Sequence, residues 1–397
     1  MTAATSAPTA ATARRALFVV ACLGMLTFGI VLTTLGSLLP SLVERFGIGK
    51  ADAGALFVLM SFGILVGSLV FGPIVDRRGY KGMLLIAVAL IALGLEGMAF
   101  APSLGWLRAA IALIGFGGGI VNGGTNALVA DVSAEERSAG LSVLGVFFGI
   151  GAVGVPFALS LLLDRFSYGA LIAGVGALVL VPLAVTAITR FPAAKQSQGF
   201  PLADAGKLLR DPALLLLGLI LFFESGLEIT VGGWTSTYFH EELGIGGQRA
   251  LVFLSLYWFG LMLARLAMGA LLRRMAPARV LLTCLGVGFI GAVLLVATHD
   301  VVAAATGVFL LGCGCAASFP VVLGFVGDRY AQLSGTAFSV VIVMALTGGM
   351  LLPYATGELG ALHGLRASFL IVPAAFVLMA VILALAMRRL GRPAGAA

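Results

Sequence analysis

The sequence predicts an all-α membrane protein whose twelve transmembrane helices form two pseudo-symmetric six-helix bundles. Three observations predict this fold: the composition, the length of the apolar runs and an internal repeat. Hydrophobic residues make up 60% of the 397 residues and charged residues 10%, whereas about 25% of the residues in a soluble domain are charged. These proportions exclude a soluble globular domain.

Twelve apolar runs follow one another along the chain, most of them close to the ~20 residues that cross a bilayer as a helix. The runs cover 16–42, 52–75, 82–101, 105–130, 139–163, 168–189, 213–239, 248–272, 280–298, 301–326, 335–357 and 365–387. We therefore expect a disordered tail over 1–13, an N-terminal six-helix bundle over 14–190, a cytoplasmic linker over 191–211, a C-terminal six-helix bundle over 212–390 and a tail over 391–397.

The net charge of +7 is explained by membrane orientation, because the basic residues lie in short segments between apolar runs. With the N-terminus inside, most Lys and Arg residues fall on the inner side. The positive-inside rule then predicts a multi-pass protein of the cytoplasmic membrane with both termini in the cytoplasm. The same distribution argues against a nucleic-acid partner.

The internal repeat has a constant offset of 197 residues without gaps. The repeated positions include Gly29 and Gly226, Gly36 and Gly233, Gly63 and Gly260, Gly94 and Gly291, Gly115 and Gly312, Asp131 and Asp328, and Pro156 and Pro353. Each copy holds six runs, an even number, so both copies have the same orientation. An axis along the membrane normal should relate them.

The segment between the second and third runs reads Gly72-Pro-Ile-Val-Asp-Arg-Arg-Gly-Tyr-Lys81. It resembles the signature loop of the major facilitator superfamily. The resemblance implies a role in conformational gating for Gly72, Asp76, Arg77 and Gly79; a merely basic inner loop is the alternative. Physically, Gly72 would allow a close helix approach and Gly79 a tight turn. At the end of the fourth run, we expect Asp131 and Arg137 to form a salt-bridge cluster that belongs to the same gating region.

The seventh run carries two carboxylates, Glu224 and Glu228, four residues apart and hence on one helical face. An acid at membrane depth is costly and marks a functional position by default. Gly232 and Gly233 follow, and Trp234 and Tyr238 add ring surfaces with polar groups. This stretch is the predicted centre of the site.

The fourth run contributes Asn122 and Asn126, which share a face and can both donate to and accept from hydroxyl groups. Their repeat partners are Phe319 and Leu323, so the two halves would offer a ligand different chemistry. The alternative is that the two amides only join neighbouring helices.

Four patches sharpen the family resemblance: Glu228 to Trp234, Gly123 to Asn126, the Tyr257-Trp258…Arg265…Gly269 pattern and Ser318-Phe-Pro320. They resemble the fucose-permease-type sugar transporters. This resemblance implies a sugar or similar polyhydroxylated substrate in a cavity lined by the first, fourth, seventh and tenth helices, with H⁺ or Na⁺ as candidate coupling ions.

The first run departs from that family, because its polar candidates are threonines and not an acid. Two roles for Glu224 stay open: it could be the protonation site, or it could pair with Arg265, which lies at a similar depth. The predicted substrate-binding residues are Glu228, Asn122, Asn126, Trp234, Thr27, Thr34, Phe319 and Tyr238.

The predicted function is alternating-access transport of a sugar or similar molecule by a monomer in the lipid bilayer. No enzyme motif, cofactor or metal site is expected, because the four cysteines lie in apolar runs and the three histidines in loops. The alternatives are a proton-driven exporter of drugs or amphipathic metabolites and a membrane sensor that does not transport.

Overall fold

The computed structural model describes residues 10–132, 137–192, 210–330 and 334–390, and within these ranges the chain is helical with no strand. Most of the predicted linker and both predicted tails, apart from the helical residues 10–13, lie outside these ranges. The helices are α1 (Ala10–Phe46), α2 (Lys50–Arg78), α3 (Tyr80–Ala99), α4 (Leu104–Val132), α5 (Arg137–Leu162), α6 (Tyr168–Ile188), α7 (Pro212–Leu243), α8 (Gly247–Arg274), α9 (Pro277–Ala297), α10 (Val301–Cys315), α11 (Ser318–Arg329), α12 (Ser334–His363), α13 (Leu365–Ser368) and α14 (Ile371–Leu390).

Twelve segments of the described chain are long and apolar enough to cross a membrane, as predicted. The tenth, Val301–Arg329, contains α10 and α11 with a break at Ala316 and Ala317, and the twelfth contains α13 and α14. Helices such as α1 extend beyond the predicted run, because hydropathy reports only the apolar part of a helix. Polar turns at the helix ends keep their backbone hydrogen bonds in water.

Glycine contacts between helices recur at the 197-residue offset. A Cβ on Gly63 of α2 would lie 2.7 Å from the carbonyl oxygen of Ala112, and one on Gly260 of α8 would meet the carbonyl oxygen of Phe309. Only glycine allows backbones to approach this closely. The other matched contacts are Gly94 with Ala110 and Gly291 with Gly307, and Gly115 with Met60 and Gly312 with Tyr257. The repeat therefore builds the same helix crossings twice, in two pseudo-symmetric bundles.

The two halves meet through α1 against α7, α2 against α12 and α5 against α8. The last two pairings exchange under the repeat. Gly36 of α1 packs on Gly232 and on its own repeat partner Gly233, with a Cβ on Gly36 only 2.8 Å from the Cα of Gly233. A contact between two equivalent positions lies on the pseudo-twofold axis.

Among the described residues, the hydrogen bonds and the ion pair that join the two halves lie in the part of the molecule that includes the α1–α2 and α7–α8 loops, which we name the sealed end. These contacts are Lys50 Nζ with Glu241 Oε2 at 2.8 Å, Ser236 Oγ donating to Gly36 O at 2.9 Å, Gln248 Nε2 donating to Ser160 O at 2.8 Å and Ser61 Oγ donating to Gly349 O at 3.1 Å. In the sealed end, the halves are therefore held together by polar as well as apolar contacts.

The α2–α3 connection confirms one part of the signature-loop prediction and corrects another. Gly79 has φ +76°, a left-handed conformation that favours glycine, and it both ends α2 and begins α3. Gly72, by contrast, has no described atom within 4 Å of where a Cβ would sit. The close helix approach expected there is therefore not found among the described residues.

Two arginines from non-equivalent helices bind equivalent carbonyls near the sealed end. Arg45 of α1 donates to Ala99 O at 3.4 Å and Ala101 O at 3.1 Å. Arg366 of α13 donates to Val296 O at 2.9 Å and Thr298 O at 2.7 Å, which are the positions 197 residues further on. These carbonyls are left unpaired where a helix ends, and a cation there is favourable. The repeat therefore reproduces the unpaired carbonyls in both halves, but the arginine that binds them comes from a different helix in each half.

We expect Arg366→Ala to destabilise the protein more than Arg45→Ala. The Arg366 side chain is 22% exposed and also neighbours Glu242 at 3.6 Å, whereas the Arg45 residue is exposed. A charge-assisted hydrogen bond contributes about 1.5–3 kcal/mol when buried and less in water. Thermal unfolding in detergent should show the larger drop for Arg366→Ala. Equal drops would contradict the argument.

Candidate functional site

The two carboxylates of α7 occupy different environments. Glu224 is 1% exposed, and neither Oε1 nor Oε2 has a hydrogen-bond partner among the described residues. The Glu228 side chain, one turn further on, is 12% exposed. The two carboxyl groups lie close enough to interact electrostatically. The helix therefore presents one enclosed acid and one that reaches open space.

Arg265 of α8 pairs with Glu228 and not with Glu224. Its Nη2 donates to Glu228 Oε2 at 3.2 Å, and its side chain is 27% exposed. The open alternative of a Glu224–Arg265 ion pair is thus corrected. The approximate depth read from the sequence could not distinguish two acids one helical turn apart on the same face; the position of α7 along its axis relative to α8 decides which of them meets Arg265.

Tyr257 of α8 and Cys315 of α10 complete the surroundings of the acids. Both side chains interact with the Glu224–Glu228 pair and with each other. The Tyr257 hydroxyl is fully enclosed, and the Cys315 thiol is its polar neighbour on α10. The cysteines described in the structure are free thiols, so the Cys313-Gly-Cys315 sequence forms no disulfide here.

Aromatic rings connect this cluster to the N-terminal half. Phe148 of α5 lies 5.9 Å from the ring of Phe28 on α1 and 5.9 Å from that of Trp258 on α8, centroid to centroid. The guanidinium carbon of Arg265 lies 5.6 Å from the centroid of Phe148, a cation–π contact. Phe148 therefore lies where the two bundles meet, next to the charged site.

Asn122 and Asn126 of α4 are brought together and are partly buried. Asn126 Nδ2 donates to Asn122 Oδ1 at 3.1 Å and to Asn122 O at 2.9 Å, and it lies 3.9 Å from the sulfur of Met25 on α1. Among the contacts described, none joins the asparagines directly to Glu228 or Arg265. The N-terminal amides and the C-terminal charges are thus separate groups: α1 contacts Asn126 through Met25, and it contacts Phe148, beside Arg265, through Phe28.

Trp234 and Tyr238 are enclosed, which differs from the expectation that their rings line the cavity. Trp234 is 0% exposed, its Nε1 donates to Pro353 O at 3.1 Å, and its ring packs on Phe57. Tyr238 is 0% exposed, and its hydroxyl donates to Leu295 O at 3.1 Å. Both residues lie between Glu228 and the sealed end, where the packed helices leave the rings no open face.

Thr27 and Thr34 are likewise enclosed. Each hydroxyl is also hydrogen-bonded within α1. Thr27 Oγ1 donates to Leu23 O at 2.9 Å and Thr34 Oγ1 to Ile30 O at 2.6 Å. A hydroxyl in a helix can always find the carbonyl of the preceding turn, so sequence alone cannot tell which threonines face a cavity. Phe319, by contrast, is partly exposed.

The expected gating residues are only partly described. Asp131 Oδ2 accepts a hydrogen bond from the Tyr80 hydroxyl at 2.7 Å, which ties the end of α4 to the start of α3. Arg77 is exposed, and the side chains of Asp76 and Arg137 lie outside the described part of the structure. The expected Asp131–Arg137 cluster therefore stays a prediction.

The C-terminal half has a tyrosine–aspartate link of its own. The Tyr330 hydroxyl donates to Asp211 Oδ2 at 2.8 Å, and Asp211 Oδ1 accepts from the backbone N–H of Ala213 at the start of α7. Burial and the bond to Asp211 raise the pKa of Tyr330 to about 12, so the hydroxyl stays a donor at neutral pH. The link fixes the end of α11 to the start of α7.

A separate cavity of about 510 Å³ lies between α1, α5 and α6. Its lining is apolar throughout and includes exposed side chains such as Ile150, Phe166 and Leu178. It lies apart from the polar site and cannot orient a polar ligand. Among the described residues, no cluster of His, Cys, Asp and Glu could hold a metal ion.

Sequence reasoning did not single out Phe148 or the Lys50–Glu241 pair. Phe148 is one of 26 phenylalanines and carries no polar signal. Lys50 and Glu241 lie at the ends of runs, where charged residues are ordinary. For the interface between the two halves, the sequence signal was the repeat, because Gly36 and Gly233 are equivalent positions that contact each other.

The sequence matches the family profile of the Major Facilitator Superfamily over residues 21–345 and 234–396. The chain belongs to this superfamily. It is 23% identical over 83% of its length to the glucose/mannose transporter GlcP of Bacillus subtilis, covering 84% of that protein. It is 25% identical over 68% of its length to the gallate transporter of Pseudomonas putida, covering 69% of it. Its match to Bypass of stop codon protein 6 of Saccharomyces cerevisiae, at 26% identity over 64% of the chain, spans 57% of that protein.

Solved structures support the fold of this superfamily member. A mutant of the nucleoside transporter NupG superposes with TM-score 0.79 at 16% identity, covering 94% of this chain and 99% of that one. The D-xylose-proton symporter superposes with TM-score 0.78 at 14% identity, covering 93% and 97%. The major facilitator fold, with two bundles of six transmembrane helices in a multi-pass membrane protein, is therefore established for this chain, as the sequence predicted.

Proposed function

We propose that this protein carries a sugar or a similar polyhydroxylated small molecule across the cytoplasmic membrane by alternating access. The main support for this proposal is the partly exposed Glu228–Arg265 ion pair, which lies at the interface between the two bundles. Glu228 and Arg265 would bind hydroxyl groups from one side, and Asn122 and Asn126 from the other. The family resemblance to fucose-permease-type transporters and the relative GlcP, which is named for glucose and mannose, support a sugar-like substrate.

The contacts of the sealed end support a conformation that is open towards the chain termini. The positive-inside rule puts those termini in the cytoplasm, so we assign the described state as inward-facing. Opening the other side requires α1 to leave α7, α2 to leave α12 and α5 to separate from α8. Movement of one bundle against the other around a central site accomplishes this.

The polar character of the site favours a hydroxylated substrate over the amphipathic cargo of a drug exporter. Amides and charged groups, each able to form several hydrogen bonds, are the partly exposed groups there.

The Glu224–Glu228 pair is the proposed coupling element, with H⁺ as the coupling ion. An enclosed carboxyl beside an ion-paired one is a place where a proton can be held or released.

We expect Asn122→Ala and Asn126→Ala each to weaken substrate binding about 10-fold or more. A lost hydrogen bond to a desolvated hydroxyl costs about 1–3 kcal/mol, and 1.4 kcal/mol is a factor of ten. Thermal-shift titration of the purified protein against a sugar panel would identify the ligand, and proteoliposome uptake would give its affinity. Thr186→Val is the matched control, because that hydroxyl bonds only within α6, to Pro182 O at 2.7 Å. Unchanged affinity in both test variants would refute the proposed site.

A further inference from the structure

Arg265 has more hydrogen-bonding capacity than Glu228 uses. A guanidinium carries five N–H donors, and the structure gives Arg265 one hydrogen bond, from Nη2 to Glu228 Oε2 at 3.2 Å. Nε and Nη1 bond to no other described residue. The side chain is 27% exposed and lies over Phe148. Its spare donors form a planar fork that matches a carboxylate with two parallel hydrogen bonds.

The charge balance around this fork is set by Glu224. An ionised carboxylate that is 1% exposed, with the Glu228 carboxyl group beside it and no N–H or O–H donor to either oxygen from the other described residues, would be very costly. We therefore treat Glu224 as neutral, so that Glu228 and Arg265 together carry no net charge. The Glu224–Glu228 pair then holds one proton.

The described residues of the helices packed against α7 bring no competing charge to this position. Tyr257 of α8 and Cys315 of α10 face the acids and are neutral donors or acceptors. The remaining acidic, basic or tyrosine side chains on the described parts of the helices packed against α7 lie towards the helix ends: Arg14, Arg15, Glu44 and Arg45 of α1, Arg249, Arg273 and Arg274 of α8, Asp328 and Arg329 of α11, Tyr354, Glu358 and His363 of α12, Arg366 of α13, and Arg388 and Arg389 of α14.

We propose that the substrate is an anion, a small hydroxylated carboxylic acid, whose carboxylate replaces Glu228 on Arg265 while one proton binds to the Glu224–Glu228 pair. This inference rests on the proposed function and narrows it to the acidic members of the polyhydroxylated class. The hydroxyl groups of the substrate still bind to Asn122 and Asn126. The ring of Phe148 covers one face of the guanidinium and holds the fork in place.

The exchange conserves charge in the site. The Nη2–H···Oε2 hydrogen bond to Glu228 breaks, and N–H bonds from Arg265 to the substrate carboxylate form. The freed Glu228 takes a proton from water on the open side, so the pair now holds two protons. One monoanion and one proton have entered, and the net charge of the site is unchanged. Transport of the two together is therefore electroneutral.

Three matched pairs of compounds test the substrate class by binding to the purified protein: D-glucuronate and D-glucose, D-gluconate and D-glucitol, and gallate and 1,2,3-trihydroxybenzene. We expect one acid to bind at least 10-fold more tightly than its neutral partner, and Arg265→Gln to remove that preference; Arg265→Lys, which keeps the charge, should retain part of it. If a neutral compound binds and no acid of the three binds at least 10-fold more tightly than its neutral partner, the inference is overturned and the proposed function stands. Binding of none of the six would overturn both.

The proton is tested with the Glu224→Gln/Glu228→Gln double variant. In the unmodified protein, acid binding should weaken as the pH rises from 5.5 to 8, because a proton must bind with the anion. In the double variant, which retains Arg265, acid binding should be independent of pH over this range. In proteoliposomes, a potassium–valinomycin potential should leave the wild-type uptake rate unchanged and alter that of the double variant. A wild-type rate that follows the membrane potential would overturn the one-proton exchange.

Discussion

Gly36→Val is expected to reduce transport to about 1–10% of the wild-type rate by preventing closure of the sealed end. A Cβ at Gly36 would fall on the carbonyl oxygen of Gly232 and lie 2.8 Å from the Cα of Gly233. These are backbone atoms, so no side-chain rotation relieves the overlap. Overpacking costs about 1–3 kcal/mol, and the state in which α1 and α7 are apart avoids this cost. A difference of that size shifts a two-state population by about 5- to 150-fold.

The population shift can be measured at an independent position of the same interface. Ser61 of α2 is 0% exposed and donates to Gly349 O of α12. In a cysteine-free background, Ser61→Cys should react slowly with a maleimide in the otherwise unchanged protein and much faster when Gly36→Val is added. Unchanged reactivity together with full transport would show that α1 and α7 do not need to separate.

Two further glycines make this experiment specific. Gly286 of α9 has no atom of the described chain within 4 Å of the point that a Cβ would occupy, and Gly286→Val should leave both transport and labelling unchanged. Gly348 packs on the Phe222 carbonyl within the C-terminal half. Gly348→Val should therefore lower the yield of folded protein, because that contact does not separate in the transport cycle.

The fold could be predicted because its determinants are local or repeated. Apolar run length follows from bilayer thickness, and a single offset of 197 residues linked glycines whose contacts then proved equivalent, such as Gly63 with Ala112 and Gly260 with Phe309. The turn at Gly79 was also predictable from local sequence, because a positive φ favours glycine. Such features depend on the residue itself and little on its distant neighbours.

The site was harder to predict because it depends on how the helices are placed against one another and on the conformational state. Sequence identified Glu224 and Glu228 as unusual, but a shift of α7 along its axis by about one turn, ~5 Å, would have exchanged which one meets Arg265. Trp234 is a residue type that often binds ligands, yet it is 0% exposed and its ring packs against Phe57. Phe148 has no polar signal, and its role follows only from lying between Phe28 and Arg265.

Arg265→Met should destabilise the protein by about 1–3 kcal/mol, and Glu228→Gln added to it should restore most of that loss without restoring transport. Removing one member of a buried ion pair costs about 3–5 kcal/mol, because the other charge is left without a partner. Glu228 is 12% and Arg265 27% exposed, so water reduces this cost. With both charges removed, no uncompensated ion remains in the low-dielectric interior.

Unfolding of the four proteins of this double-mutant cycle in detergent, monitored by tryptophan fluorescence, measures the coupling between the two side chains. Arg108→Met is the surface comparison, because its ion pair with Asp52 is 43% and 51% exposed and should contribute less than about 1 kcal/mol. Additive losses at Arg265 and Glu228 would mean that the pair is energetically uncoupled. A coupled pair whose double variant folds but does not transport would instead show that the two charges are retained for the substrate, since stability alone does not require them.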